Sequence, residues 1–518
     1  FDDQWNAFYE QPFGGADHLL AFACDYAHKR GMTFFSIVKP FETGIHAVSL
    51  PQHLAPPARA TRTVQGWHPL ASRFTAEHPD MRLSAPPRAA GAPGSGRVVC
   101  VRLVNQNASG ESLRHDDLEL LWSDTNGRFQ TYDGPRRCVA LDRGAAHGKP
   151  RVLEWRDLEI PREARYILLR YRGDRGTGDF ENSADALLEL HDEAGRLPSQ
   201  PDQGRGHPRR RFLLCSGVDI PEPTRAVIED EDACAAAFEN HFVFEENAGV
   251  KRRKIDEPGG YICHCLDFNT HCAGALHPGY PEVRAYWLDW LRRSLDAGVD
   301  GVALRIANHS TRCSHPEQTG INAPTLAEYA RRTGCEADAD AADPELVRRI
   351  NGDFYTGFLR AARALVSERE RRMEHFIHPM MDRLWTRRNM SNNVPDTFCF
   401  DYRQWLREGL LDGLCLRPHW REMEHVRYFG DMIGAQARLF GVDMFFANWT
   451  GPLNQACVKD DIPAHIHTEL RHVRDSDLFD GFILYEAAGV MGIDETGRMH
   501  TSKALETAIA KEFHTSHT

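Results

Sequence analysis

The spacing of apolar positions changes several times along the chain, and each change marks an element. Residues 17–30 and 281–297 carry apolar side chains at helical spacing. In the second segment Val283, Trp287, Leu288, Leu291 and Leu295 form one stripe. Short runs that are apolar at nearly every position lie between such segments: 33–39 (TFFSIVK), 261–267 (YICHCLD), 302–307, 374–378 (EHFIH), 414–417, 442–447 (VDMFFA) and 482–486 (FILYE). Strands covered on both faces read this way. Helices predicted over 344–372, 402–408, 423–439 and 464–473 separate the later runs and supply parallel crossovers. The alternation predicts a (β/α)8 barrel of the TIM type, with seven of its strands in view and the first expected upstream of Phe1. An open doubly wound sheet is the alternative, but the chain shows no glycine-rich phosphate loop to support it.

Residues 50–225 interrupt this rhythm. The stretch opens on a Pro/Ala/Gly-rich linker and closes on a second Pro-rich one (LPSQPDQGRGHPRRR). Between them the pattern is of strands without helices, over 98–104, 118–122, 152–155, 166–171 and 186–190. Turn signals at Thr125-Asn126-Gly127 and Gly173-Asp174 punctuate them. An inserted β-sandwich is expected. The predicted organisation is therefore a first barrel part (1–50), linkers and sandwich (51–225), and the rest of the barrel (226–518).

Composition narrows the partners. The 518 residues are 42% hydrophobic and 26% charged, which excludes a wholly disordered chain. The longest apolar stretches are about eight residues, too short to span a membrane, which takes about 20. A net charge of −12 argues against nucleic acid as the main partner. Thirteen scattered cysteines, several inside apolar runs (Cys24, Cys100, Cys265, Cys399, Cys415), read as free thiols rather than a disulfide framework. The compartment stays open.

In a barrel of this kind the loops after the strands build the site, so strand C-terminal ends hold the candidates. They are Lys39 and Glu42; Asp267, Asn269 and His271; Arg305, Asn308 and His309; His378, Asp382 and Trp385; Arg417, His419 and Trp420; Asn448 and Trp449; Tyr485 and Glu486. Tryptophans offer flat platforms to sugar rings, Arg, His and Asn offer hydrogen bonds, and carboxylates offer acid–base chemistry. Glu486, Asp267 and Glu42 are the candidate catalytic carboxylates. Arg305, Asn308, His309, His378, Trp385, Arg417, His419, Asn448, Trp449 and Tyr485 are the candidate binding residues. Two segments rhyme, Asp300–Arg305 (DGVALR) and Asp412–Arg417 (DGLCLR). With a period of two, Ala303 and Arg305 share one face and the branched residues face the helices, so both arginines are expected to point inward. They would meet an anionic ligand or buried carboxylates. His264, His378 and His419 offer zinc ligands, and Cys263, Cys265, His271 and Cys272 a structural set, but neither shows a compact ligand spacing.

The segment 276–302 (LHPGYPEVRAYWLDWLRRSLDAGVDGV), with a P-E-V-R helix start and a V-D-G strand entry, resembles the glycosyl hydrolase-like barrels of bacteria. The resemblance implies a polysaccharide-active (β/α)8 enzyme. Those barrels usually carry an acid soon after V-D-G, whereas here Ala303 and Arg305 hold the inward positions. The expectation is a glycoside hydrolase acting on a polysaccharide or oligosaccharide, anionic in one version, with no cofactor. Its rivals are a metal-dependent barrel hydrolase using His378, His419 and Asp267, and a barrel that binds carbohydrate without cleaving it.

Overall fold

The computed structural model describes residues 16–45, 70–71, 73–84, 96–105, 114–125, 129–142, 151–171, 187–201, 261–266, 271–306, 319–336, 341–377, 397–417, 423–449, 464–485, 491–493, 499–501 and 503–513. Six of their strands form one parallel sheet in chain order: β1 (Phe35–Val38), β2 (Gly301–Arg305), β3 (Arg372–Ile377), β4 (Gly413–Leu416), β5 (Asp443–Trp449) and β6 (Gly481–Tyr485). Helix α1 (Ala16–His28) precedes β1 and α2 (Pro281–Asp296) precedes β2. Helices α3 (Ala323–Thr333) and α4 (Pro344–Glu368) link β2 to β3, and α5 (Tyr402–Arg407) links β3 to β4. Helix α6 (Met423–Leu439) links β4 to β5, α7 (Ala464–Asp475) links β5 to β6, and α8 (Lys503–Phe513) follows. The fold is mixed α/β, with a half-barrel parallel sheet. Closure into an eight-stranded barrel is not seen among the described residues.

The helices start where their sequences allow. Pro281, Pro324 and Pro344 stand in the first turns of α2, α3 and α4, where a missing N–H costs nothing. Asp343 caps α4 by accepting from the Glu345 N–H at 3.0 Å, and Gly334 ends α3 in the left-handed conformation at φ 73°.

Alternation sorts the strands into two faces. Val302, Leu304, Met373, Ile377, Leu414, Leu416, Met444 and Phe446 pack with Trp287, Tyr355, Phe358 and Trp405 in the main core under the helices. On the other face Ala303, Phe376, Cys415 and Ala447 form a second, smaller cluster, with Phe445 and Ile483 against it. Ala303 and Cys415 leave room on that inner face for the sheet to curve.

The Asp-Gly pair that opens the rhyming segments sets the sheet's lower edge, and a third pair does the same work. Asp300, Asp412 and Asp480 each reach across to the strand before and accept a backbone N–H: that of Phe34 at 2.7 Å, of Met373 at 2.8 Å and of Met444 at 2.8 Å. The following glycine lets the neighbour close in, since a Cβ on Gly301 would lie 2.2 Å from the Phe35 ring.

The run 261–267 corrects the expected barrel order. Its strand, Tyr261–Leu266, pairs antiparallel with Tyr166–Tyr171 and Ser199–Pro201, so it is no member of the parallel sheet. Only four residues separate it from the strand His271–Leu276, which pairs antiparallel with Arg82–Ser84. Accordingly β1 pairs directly with β2, Ile37 opposite Ala303.

The strands expected between 98 and 190 are present. Cys100–Asn105, Arg151–Arg156 and Leu187–His191 join Arg137–Asp142 in one four-stranded sheet. Leu118–Ser123 and Tyr166–Tyr171 lie in a five-stranded one with Tyr261–Leu266. Inward residues of both, including Val101, Leu103, Trp155 and Leu188 from one and Leu120, Ile167, Leu169 and Leu266 from the other, share a single core.

Candidate functional site

Ligands of parallel α/β sheets gather at the carboxyl ends of the strands, so the described residues there define the candidate site. Arg305 closes β2 and Arg417 follows β4, at 3% and 4% exposure. Arg305 shares its strand parity with the inner-face Ala303, and Arg417 with Cys415, which is the side the alternation predicted. The Arg417 N–H donates to the Ile377 carbonyl at 2.9 Å, which extends the β3–β4 ladder by one rung.

Beside β2, the chain leaves β1 through a tight turn in which the Glu42 N–H donates to the Lys39 carbonyl at 2.9 Å. Phe41 anchors the turn. It is fully buried, with ring centroids 5.2 Å from Trp287, 5.6 Å from Tyr355 and 5.7 Å from Phe398. Glu42, next to it, is paired with the Lys39 ammonium at 2.9 Å. At the far side, Asn448 and Trp449 occupy the last two positions of β5, in register with Leu484 and Tyr485 of β6. The structure thus brings Glu42, Arg305, Arg417, Asn448, Trp449 and Tyr485 to one end of one sheet.

Asp267, Asn308, His309, His378, Trp385, His419 and Glu486 lie outside the described residues. The strand before Asp267 belongs to the antiparallel body, as shown above. The same pairing places His264 opposite Ile167 in the antiparallel five-stranded sheet, not on a strand of the parallel one; His378 and His419 lie outside the described residues. Among the described residues no three His, Cys, Asp or Glu side chains converge as metal ligands.

One carboxyl on the inner face escaped the sequence reading. Glu374 stands opposite Ala303 on one side and Gly413 on the other, 8% exposed. Burial pushes its pKa up, partly offset by the Arg372 charge, and the Cys415 thiol donates to Oε2 at 3.6 Å. A Cβ at position 413 would lie 3.0 Å from the Glu374 Cγ, so the glycine makes the niche in which this carboxyl sits. Strand alternation alone marks it, because Glu374 lies two residues before Phe376 and so shares its face.

A fully buried polar knot holds the loops near this end. The Gly279 N–H donates to His277 Nδ1 at 2.9 Å, so the ring proton sits on Nε2, facing the Gly320 carbonyl at 3.1 Å and Asn351 Oδ1 at 3.2 Å. Thr325 donates to Asn351 Oδ1 at 2.6 Å, and Asn351 Nδ2 donates to the carbonyls of Gly320 and Thr397, both at 2.9 Å. Burial holds the His277 pKa down at about 4, so the ring is neutral. Part of the L-H-P-G-Y-P-E-V-R motif is therefore structural: His277 ties the segments around 279, 320, 351 and 397 together. His375 serves the layer beneath, accepting at Nε2 from the Tyr355 hydroxyl at 2.9 Å, with its own pKa lowered by burial to about 4.

No protein-family model matches the chain, and no curated protein matches it. Among solved structures it is similar to the PgaB (BpsB) glycoside hydrolase domain from Bordetella bronchiseptica, at 14% identity and a TM-score of 0.28. That similarity covers 42% of this chain and 60% of the other. At this level it defines neither a family nor an activity.

Proposed function

We propose that the protein is a glycoside hydrolase acting on a polysaccharide or oligosaccharide, an anionic one being the better fit. The observation that carries this reading is that Arg305, Arg417 and the Lys39–Glu42 pair all stand at the carboxyl end of a parallel half-barrel, with both arginines buried. Two buried guanidinium groups on the inner side suit carboxylate or sulfate groups of a sugar chain. In this proposal the six strands are part of a (β/α)8 barrel with the antiparallel body inserted. The boundaries are those read from the sequence, except that Tyr261–Leu266 goes with the insert. Glu486, Asp267 and Glu42 are the candidate acid, base or nucleophile. Their carboxyl separation would set the stereochemistry, about 5 Å for retention and about 6.5–9.5 Å for inversion.

One observation favours a second reading, in which the site binds glycan without cleaving it: Glu42 is already ion-paired within its own turn. A screen of purified protein against neutral and anionic polysaccharides, run beside Glu486→Gln and an Arg305→Met/Arg417→Met pair, separates the two. Product release from an anionic polymer, abolished in Glu486→Gln, supports hydrolysis. Binding with no product from any bound glycan supports the second reading. Full activity in Glu486→Gln would remove that residue from the mechanism.

A further inference from the structure

A cleft of about 520 Å³ opens on the helix layer, between the end of α3, the first half of α4 and the segment 399–407 that includes α5. Its size is that of a small-molecule site, yet its walls are charged rather than apolar. Five guanidinium groups line it, those of Arg332, Arg348, Arg349, Arg403 and Arg407. Among the described residues three carboxylates do, those of Glu345, Asp353 and Asp401. Arg332 is held between Glu328 at 2.7 Å and Asp353 at 2.9 Å. Among the described lining residues the guanidinium groups outnumber the carboxylates by two. Glu345 is shared, 3.3 Å from Arg349 and 3.9 Å from Arg348. Asp401 is committed to capping α5, accepting from the Gln404 N–H at 3.0 Å, and stands 3.9 Å from Arg407.

The walls are fixed in place. A Cβ on Gly352 would lie 2.0 Å from the Cys399 carbonyl oxygen, so the glycine lets the 399–401 backbone lie against α4. The Cys399 N–H donates to the Arg348 carbonyl at 3.0 Å, and Trp405 Nε1 donates to Thr356 Oγ1 at 3.0 Å beneath the floor. The backbone that carries these arginines is thus held, and their planar forks match tetrahedral oxyanions in pairs.

We propose that this cleft binds a small molecule carrying an oxyanion of two negative charges or more, a phosphate or sulfate ester. The site is separate from the strand ends and does not depend on the activity proposed above. The test is calorimetric titration of the full chain with inorganic pyrophosphate, then with glucose 6-phosphate, glucose 6-sulfate and glucose. Saturable binding of pyrophosphate that weakens as salt rises is expected, with no binding of glucose. The two esters distinguish phosphate from sulfate as the natural group. The pair Arg349→Glu/Arg407→Glu changes two side chains that are 66% and 58% exposed, and should weaken binding at least about tenfold. Arg137→Glu, on the antiparallel body, should leave it unchanged. Should the charge reversal disturb folding, as judged by circular dichroism, Arg349→Gln/Arg407→Gln is expected to weaken binding in the same direction. No pyrophosphate binding at millimolar concentration, or wild-type affinity in the folded Gln or Glu pair, overturns the proposal.

Discussion

Burial of Glu469 makes stability depend on pH in a way that one substitution isolates. The residue lies on the inner side of α7 with Leu470 and Val473, 5% exposed. Its Oε2 is out of solvent and has no hydrogen-bond partner among the described residues. Burial alone raises its pKa from 4.5 to about 8. Arg474, on the same helix, is engaged with Glu512 at 2.7 Å. Because the folded pKa lies above the unfolded one, the stability is fully present below pH 4.5 and is lost as pH rises through 8. The loss is about 1.4 kcal/mol per pH unit, reaching about 3 kcal/mol at pH 7 and roughly 5 kcal/mol above pH 8. Glu469→Gln keeps the shape and removes the titration. Chemical unfolding of both proteins from pH 4 to pH 9 should therefore give curves that part steadily above pH 4.5, with the variant the more stable. Other titrating groups cancel in the difference. Parallel curves would show that Glu469 finds a partner or water, and would refute the reasoning.

Three more predictions follow from the packing. His277 and His375 are both held to about 4 by burial, so their contribution is full above pH 6.5 and lost as pH falls through 4, roughly 3 kcal/mol each. Two histidines outweigh one glutamate below pH 6.5, so these groups together put the stability maximum near that pH; a monotonic rise in stability from pH 6.5 to 4 would contradict it. Gly352→Ala drives a methyl group into the Cys399 carbonyl, a backbone atom that cannot swing aside, and should cost about 3 kcal/mol or more in unfolding free energy and open the arginine cleft; a variant with an unchanged melting temperature would sink this. Asp300→Ala, Asp412→Ala and Asp480→Ala each strip an acceptor from a neighbouring strand's N–H and should each lower stability by about 1–3 kcal/mol, measured by denaturant midpoint.

The inward direction of Arg305 and Arg417 was legible because alternation in a strand is a local property: Val302 and Leu304 had to meet the helices, and they do. The Asp-Gly rhyme was legible too, though its Asp-Gly half proved to be a strand-positioning device shared with Asp480. Glu374 could have been found by the same counting. The Lys39–Glu42 pairing could not, since it depends on how a turn is pinned by Phe41 against Trp287 and Tyr355.

By itself the chain determined most of the helices and buried strands, because periodicity and capping are written in adjacent residues; Ala323–Thr333, Lys503–Phe513, Arg137–Asp142 and His271–Leu276 came only with the structure. It also determined that an all-β stretch interrupts an α/β one. Only the tertiary structure decided sheet membership. YICHCLD reads as a buried strand of either sheet, and its place among antiparallel strands is set by its pairing with Tyr166–Tyr171 and Ser199–Pro201. Likewise, five arginines drawn from three separate elements make a cleft only once Gly352 has let the 399–407 segment close against α4. Contacts between residues distant in sequence carry no local signature, and it is these contacts that assemble both candidate sites.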